Sequence, residues 1–247
     1  MSTYEAAIMP SARSERVQSE PEPAAVARLR ARAQFVRLGN RYALASLGSG
    51  YVYLVAKGVV GLEAGTVGSD VRVITALYYP GDIIVPELQV SLPGLSLISQ
   101  RSAEFWKLTQ AAFTDEILRD SQLWQAIFAR LNEQNARMQL HSAAMSVLNS
   151  EERVAAFLVE VGVRLGVHSA ETVAFELPLS RYSIADYLSL NADTISRTFS
   201  ALTAARIIER RGRFQIVVRD WPALIEKCPI SDVILKMHGR GRPSLLR

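Results

Sequence analysis

Cysteine is almost absent from the 247 residues: Cys228 stands alone. A single thiol excludes an intrachain disulfide and any zinc or iron–sulfur site built wholly from cysteines. Histidine is nearly as scarce, with only His141, His168 and His238. The sequence also lacks a P-loop, a dinucleotide-binding glycine pattern and a His-Glu-x-x-His pair; Gly48-Ser49-Gly50 is too short to count. Little remains for nucleophile-and-base chemistry, so no catalytic residue and no metal site are expected. Long apolar runs are missing as well. Lys57 breaks the best one, Tyr51 to Leu62, well short of the roughly 18 residues that a membrane span needs. Met1 to Glu22 has no apolar core that could serve as a secretory signal. A cytoplasmic protein without a membrane partner is the expectation.

What is present is an ordinary globular composition, 49% apolar and 21% charged, with length enough for two modest domains. The formal charge is only +4, so its distribution matters more than its sum. Residues 42–149 carry seven basic and nine acidic side chains, whereas 178–219 carry seven basic and only three acidic. The basic segment reads either as a solvated face or as the part of the chain that meets a polyanion.

Residues 1–33 are rich in Ala, Ser, Glu, Arg and Pro, and Pro21-Glu22-Pro23 breaks any early helix. They read as a flexible N-terminal arm that turns helical over 24–33, with Arg28, Arg30 and Arg32 exposed. Residues 34–120 read as an antiparallel β-domain, because short β-rich runs such as Tyr51 to Val55 and Val71 to Leu77 alternate with glycine turns. Residues 121–149 read as one long helix, since Leu123 to Leu148 contains neither Gly nor Pro. Within it Trp124, Ile127, Leu131, Gln134, Met138, His141, Met145 and Leu148 recur at alternating spacings of three and four. So narrow a seam favours a helix paired with its own copy; the alternative is one long helix lying across its own domain. Ser150-Glu151-Glu152 then starts a second, smaller domain over 150–228, and 229–247 reads as a basic tail. In that tail Arg240-Gly241-Arg242-Pro243 has the form of a minor-groove AT-hook core or of a disordered basic end.

The segment 179–218 carries the functional signal. Ser180 is placed to cap a helix over 181–188, Ser189-Leu190-Asn191 makes a tight turn, and a second helix runs over 192–204 with Ile195, Phe199 and Leu202 inward. The outer face then presents Asp193, Ser196, Arg197 and Ser200, short polar groups around an arginine suited to the major groove of double-stranded DNA. A hairpin with the basic tip Arg211-Gly212-Arg213 follows, a wing that can reach phosphate.

The string LSRYSIADYLSLNADTISRTFSALTAARIIERRGRFQIVVRD resembles the DNA-reading segment of the Crp/Fnr transcriptional regulators, especially the Fnr/FixK branch. YVYLVAKGVVGLEA and LYYPGDII are similar to that family's β-roll strands, and the likeness spans about residues 34–225. The resemblance implies an α+β fold: an N-terminal antiparallel β-roll like a cyclic-nucleotide-binding domain, a long dimerisation helix and a C-terminal winged helix-turn-helix. It further implies a homodimer on a TTGA-type inverted repeat, with Trp124, Ile127, Leu131, Met138, Met145 and Leu148 in the dimer seam. Asp193, Ser196 and Arg197 would read bases, and Arg181, Ser200, Arg211 and Arg213 would hold the backbone. RNA polymerase is the expected partner if the protein is an activator. The branch carries Glu where this chain has Asp193, one methylene shorter.

In cyclic-nucleotide-binding members a Gly-Glu pair and an Arg-Ser/Thr pair cradle the ligand. Here Pro86-Glu87 stands at the first, and no Arg or Lys occurs from Val73 to Gln100. Burying a phosphate without a cation is costly. No cofactor is therefore expected, the alternative being a cyclic-nucleotide- or haem-responsive member of the same family. The three histidines read as structural or solvent-facing rather than as haem ligands.

Overall fold

The computed structural model describes residues 24–65, 72–88, 94–100, 102–169 and 172–238. After the helix α1 (Ala24–Arg32) come eight strands: β1 (Gln34–Leu38), β2 (Arg41–Ala43), β3 (Tyr51–Lys57), β4 (Val60–Gly65), β5 (Arg72–Tyr78), β6 (Ile83–Ile84), β7 (Ser96–Ile98) and β8 (Ala103–Thr109). They form two four-stranded sheets in the orders β1-β8-β3-β6 and β2-β7-β4-β5, with every pairing antiparallel. This is the β-roll.

Strand β3 shows why its run is apolar throughout rather than alternating. Tyr53 and Val55 point between the sheets, where they meet Val60, Leu62, Tyr78 and Phe105. Val52 and Leu54 point the other way, onto α1, α2 (Gln110–Arg119) and α3 (Ser121–Val147) through Leu29, Phe113, Leu123 and Ile127. A strand covered on both faces needs apolar residues at odd and even positions alike.

Helix α1 does not stand free as part of an arm. Ala25, Val26 and Leu29 are buried, Arg28 and Arg32 pair with Glu116 of α2, and Arg30 lies over the Trp106 ring at 5.5 Å. The i, i+1, i+4 apolar spacing gives this short helix a face that the first sheet, α2 and α3 cover.

Helix α3 runs unbroken for 27 residues, with Asp120 accepting from the N–H groups of Gln122 and Leu123. Helix α4 (Ser150–Leu165) follows after two residues. Its cap is Asn149 rather than Ser150: the Asn149 side chain accepts from Glu151 and Glu152 N–H, and Glu152 reaches back to the Asn149 N–H at 2.8 Å. That reciprocal pair is a capping box. The second domain continues with β9 (Val167–His168), β10 (Val173–Glu176), α5 (Arg181–Leu188), α6 (Ala192–Ala204), β11 (Ile208–Arg211), β12 (Gln215–Val218), α7 (Trp221–Glu226) and α8 (Ser231–His238). Its antiparallel sheet has the order β11-β12-β10-β9.

Residues 231–238 of the expected tail are thus a helix packed on α4, with Ser231, Ile234 and His238 buried. Three- and four-residue spacing brings these onto one face, a pattern that counting charge alone hides. The Arg-Gly-Arg-Pro tract at 240–243 lies outside the described residues. The core of the second domain is continuous with the outer face of the second roll sheet, where Val59, Ile74, Tyr79 and Ile98 join it. No helix of the described residues is long and apolar enough to cross a membrane.

Candidate nucleic-acid interface

Ser180 caps α5 by accepting from Ser183 N–H at 3.1 Å. The turn to α6 closes with Ser189 in the left-handed region (φ 53°) and Leu190 N–H on the Ala185 carbonyl. Asn191 then caps α6, its Oδ1 accepting from Thr194 N–H at 2.6 Å. Two side-chain caps within 12 residues fix where both helices begin, and so fix their crossing. Ile195, Thr198, Phe199 and Leu202 are buried beneath α6. Asp193, Arg197 and Ser200 are exposed on the opposite face.

Ser196 is only half exposed and is braced. Its Oγ donates to the Ala192 carbonyl at 2.8 Å and accepts from Arg181 Nη1 at 3.0 Å. Arg181, expected at phosphate, therefore also holds a base-reading candidate in place. Beside it Tyr182 is 67% exposed at the start of α5. The sequence reading left Tyr182 out, because an aromatic next to a cap usually reads as core.

The wing is β11 and β12 around Gly212, whose φ of 69° suits glycine. Its two arginines differ. Arg211 Nε donates to Glu209 Oε1 at 2.7 Å, and Arg219 takes the other carboxylate oxygen. Those hydrogen bonds hold the Glu209 carboxyl below the usual range. Arg213 lies over the Phe214 ring at 5.1 Å and has no ion pair among the described residues. Arg181, Arg197 and Arg213 are thus without an adjacent carboxylate among the described residues.

The long helix differs from the expected seam. Ile127 is 2% exposed and belongs to the roll's own core, and Leu148 is buried in the second domain's. Gln134 is buried too, its amide bonding both the N–H and the C=O of Ile83 at 2.9 and 2.8 Å. Leu131, Met138 and Met145 are partly covered by this chain. Trp124 and Phe128 are left outside, 49% and 55% exposed, with ring centroids 5.7 Å apart. The three-four spacing is shared by any helix face, so it could not tell a partner from the chain's own sheet.

Inward of α3 lies a polar cluster that the sequence reading did not find. Asp82 is fully buried between Arg130 and Arg137 and accepts from Arg137 and from Tyr79 N–H. His238 is buried rather than solvent-facing: its Nδ1 accepts from Arg164 Nε at 2.9 Å, and its ring meets the Tyr79 ring edge-on. His141 stacks on Tyr187 at 3.9 Å, and burial holds its pKa down to about 4. His168 remains exposed. Cys228 is buried, and burial pushes its thiol up to about 11. No group of three ligating side chains that could hold a metal occurs among the described residues.

In the roll, Glu87 Oε1 accepts from Gly50 N–H at 2.6 Å.

The Crp-like helix-turn-helix domain matches residues 152–227. The nitrogen fixation regulation protein FixK of Azorhizobium caulinodans is 31% identical over 178 residues, 70% of this chain and 69% of that protein. An anaerobic regulatory protein of Pasteurella multocida is 33% identical over 93 residues, 38% of this chain but only 34% of that protein. Among solved structures, FixK2 from Bradyrhizobium japonicum superposes with a TM-score of 0.64 at 25% identity, covering 79% of this chain and 97% of that one. A CooA mutant from Carboxydothermus hydrogenoformans gives 0.64 at 17% identity, covering 80% and 88%, a likeness of fold alone. Long-range identity to FixK, a matching winged helix-turn-helix and the β-roll architecture agree: the chain belongs to the Crp/Fnr family of DNA-binding transcriptional regulators, near its FixK/Fnr branch.

Proposed function

We propose that the protein works as a homodimer on a twofold-symmetric, TTGA-type inverted repeat, independently of cyclic nucleotides. The observation that carries this is the reading face itself: Asp193, Arg197 and Ser200 are exposed together on α6, and Arg181 braces Ser196 between them. Arg197 is the group for a bidentate contact to guanine, Ser196 sits near thymine, and Asp193 reads the remaining edge. Arg181, Ser200, Arg211 and Arg213 hold phosphate. Two such helices require a partner copy, which the free Trp124–Phe128 face of α3 supplies. The Glu87–Gly50 contact supports a roll that takes no anionic nucleotide. A protein of this kind works in the cytoplasm and, as an activator, meets RNA polymerase.

Binding profiles on randomised half-sites test the reading face. Arg197→Ala should weaken the preferred half-site about tenfold or more, since a bidentate arginine–guanine pair is worth roughly 1–3 kcal/mol, while leaving non-specific binding nearly unchanged. Asp193→Glu should change preference at one symmetric pair of positions only. Identical profiles for the wild type and both variants refute the assignment.

A further inference from the structure

We infer that Arg153 is a positioning residue that sets the spacing between half-sites without touching DNA. Arg153 lies in the first turn of α4, where the dimer helix passes into the DNA-binding domain. Its guanidinium donates to three backbone carbonyls on three different segments. Nη2 reaches Met145 O near the end of α3 at 2.7 Å, Nε reaches Leu148 O in the hinge at 2.9 Å, and Nη1 reaches Leu188 O at the end of α5 at 3.1 Å. The last carbonyls of a helix have no partner within it, so a guanidinium that collects them from both helices fixes one relative to the other. Leu188 directly precedes the helix-turn-helix turn, so the bolt acts on the element that aims α6.

A second set of contacts holds the same domain from its far side. Tyr79 of the roll donates to Glu160 Oε1 of α4 at 2.8 Å, and Arg164 bridges Glu133 of α3 to His238 of α8. Beneath them Val59, Ile74, Tyr79 and Ile98 make an apolar patch on the outer face of the second roll sheet. At Gly61 a Cβ would stand 3.1 Å from both Ile74 and Ile98, two residues that share the second domain's core. A sheet face apolar on its outer side is built to be covered, and here the DNA-binding domain covers it. In this docked state the reading face stays exposed. The orientation of α6 relative to α3 is therefore set before DNA arrives.

In a dimer paired along α3, as proposed above, that rigidity fixes the distance and phase between the two reading helices. One added base pair moves a half-site by about 3.4 Å and turns it by about 35°. A bolted pair cannot follow such a change; a loosened pair can.

The test is fluorescence anisotropy with duplexes that carry two identical half-sites at a series of spacers, alongside a duplex with one half-site. The wild type should prefer one spacer about tenfold or more over its neighbours one base pair longer or shorter. Arg153→Met, which keeps the aliphatic packing and loses all three hydrogen bonds, should reduce that preference to about threefold or less while single half-site affinity and dimer mass are retained. Arg153→Lys should fall between them. Tyr79→Phe, which removes one hydroxyl and leaves the fold's packing intact, should broaden the spacer profile in the same direction. Uniform weakening at every spacer, an unchanged profile, or tighter binding by Arg153→Met overturns the inference. A wild type without preference for paired half-sites at any spacer refutes the dimeric reading instead.

Discussion

Trp124 and Phe128 offer the sharpest separation between a face that meets a partner and one that meets the chain itself. Each is about half exposed in a single protomer, 49% and 55%. Aromatic side chains of this size carry about 150–250 Å². Roughly 100 Å² per ring is thus left to bury, worth about 2.5 kcal/mol at ~25 cal/mol per Å². A symmetric dimer uses each residue twice, so Trp124→Ala should cost about 5 kcal/mol and raise the dimer dissociation constant some 10³- to 10⁴-fold. Unfolding of the monomer should change by no more than about 2.5 kcal/mol, the worth of the half of the ring that its own chain already covers. Ile127→Ala should do the opposite. Ile127 is 2% exposed among Val52, Leu54 and Phe113, so truncation opens a cavity and costs roughly 2–5 kcal/mol of folding stability. Sedimentation equilibrium over a dilution series reads the first quantity and urea unfolding at high dilution reads the second. A monomeric Ile127→Ala protein of normal stability, beside a Trp124→Ala protein that still dimerises, would refute this assignment of the two faces.

Three further outcomes follow from the geometry. Arg213→Ala should weaken all DNA sequences alike and make the salt dependence shallower, as for a phosphate contact, whereas Arg211→Ala should do so less, because Arg211 must first leave Glu209; binding titrations at several salt concentrations compare them. His141 has its pKa held down to about 4 from 6.5 by burial against Tyr187, so the unfolded chain binds this proton more readily than the folded one. Its contribution to stability is then present above about 6.5 and is lost as pH falls towards about 4; His141→Phe should remove about 3 kcal/mol of that dependence, read from urea midpoints across the window. Ser189 is held at φ 53°, and Ser189→Gly should raise stability by about 0.5–1 kcal/mol, measured by thermal unfolding with α6 and its reading face unchanged.

The winged helix-turn-helix was legible because its determinants are local. Ser180, Asn191 and the Ile195–Phe199–Leu202 spacing lie within a few residues of what they organise. The long helix was legible in extent for a similar reason, since a stretch without Gly or Pro has nothing to end it. Its faces were not. Gln134 is buried by Ile83, and Arg137 by Asp82, partners 51 and 55 residues away. The three-four stripe looked like the seam of a paired helix, although several of its partners are within the same chain. Helix α8 escaped because a short helix that follows Pro229 near basic residues reads as solvated tail. Arg153 escaped for a plainer reason: an arginine after two glutamates in a first helical turn looks like surface charge.

Gln134 also bears on how the first roll sheet ends. β6 is an edge strand of only two residues, both apolar and buried. Unpaired N–H and C=O groups on such an edge form a template on which another chain can add a strand. The Gln134 amide donates to the Ile83 carbonyl and accepts its N–H, so one side chain imitates the next strand and ends the sheet there. Any opening of α3 away from the roll would uncover this edge, and self-association through β-addition would then compete with the return of the helix.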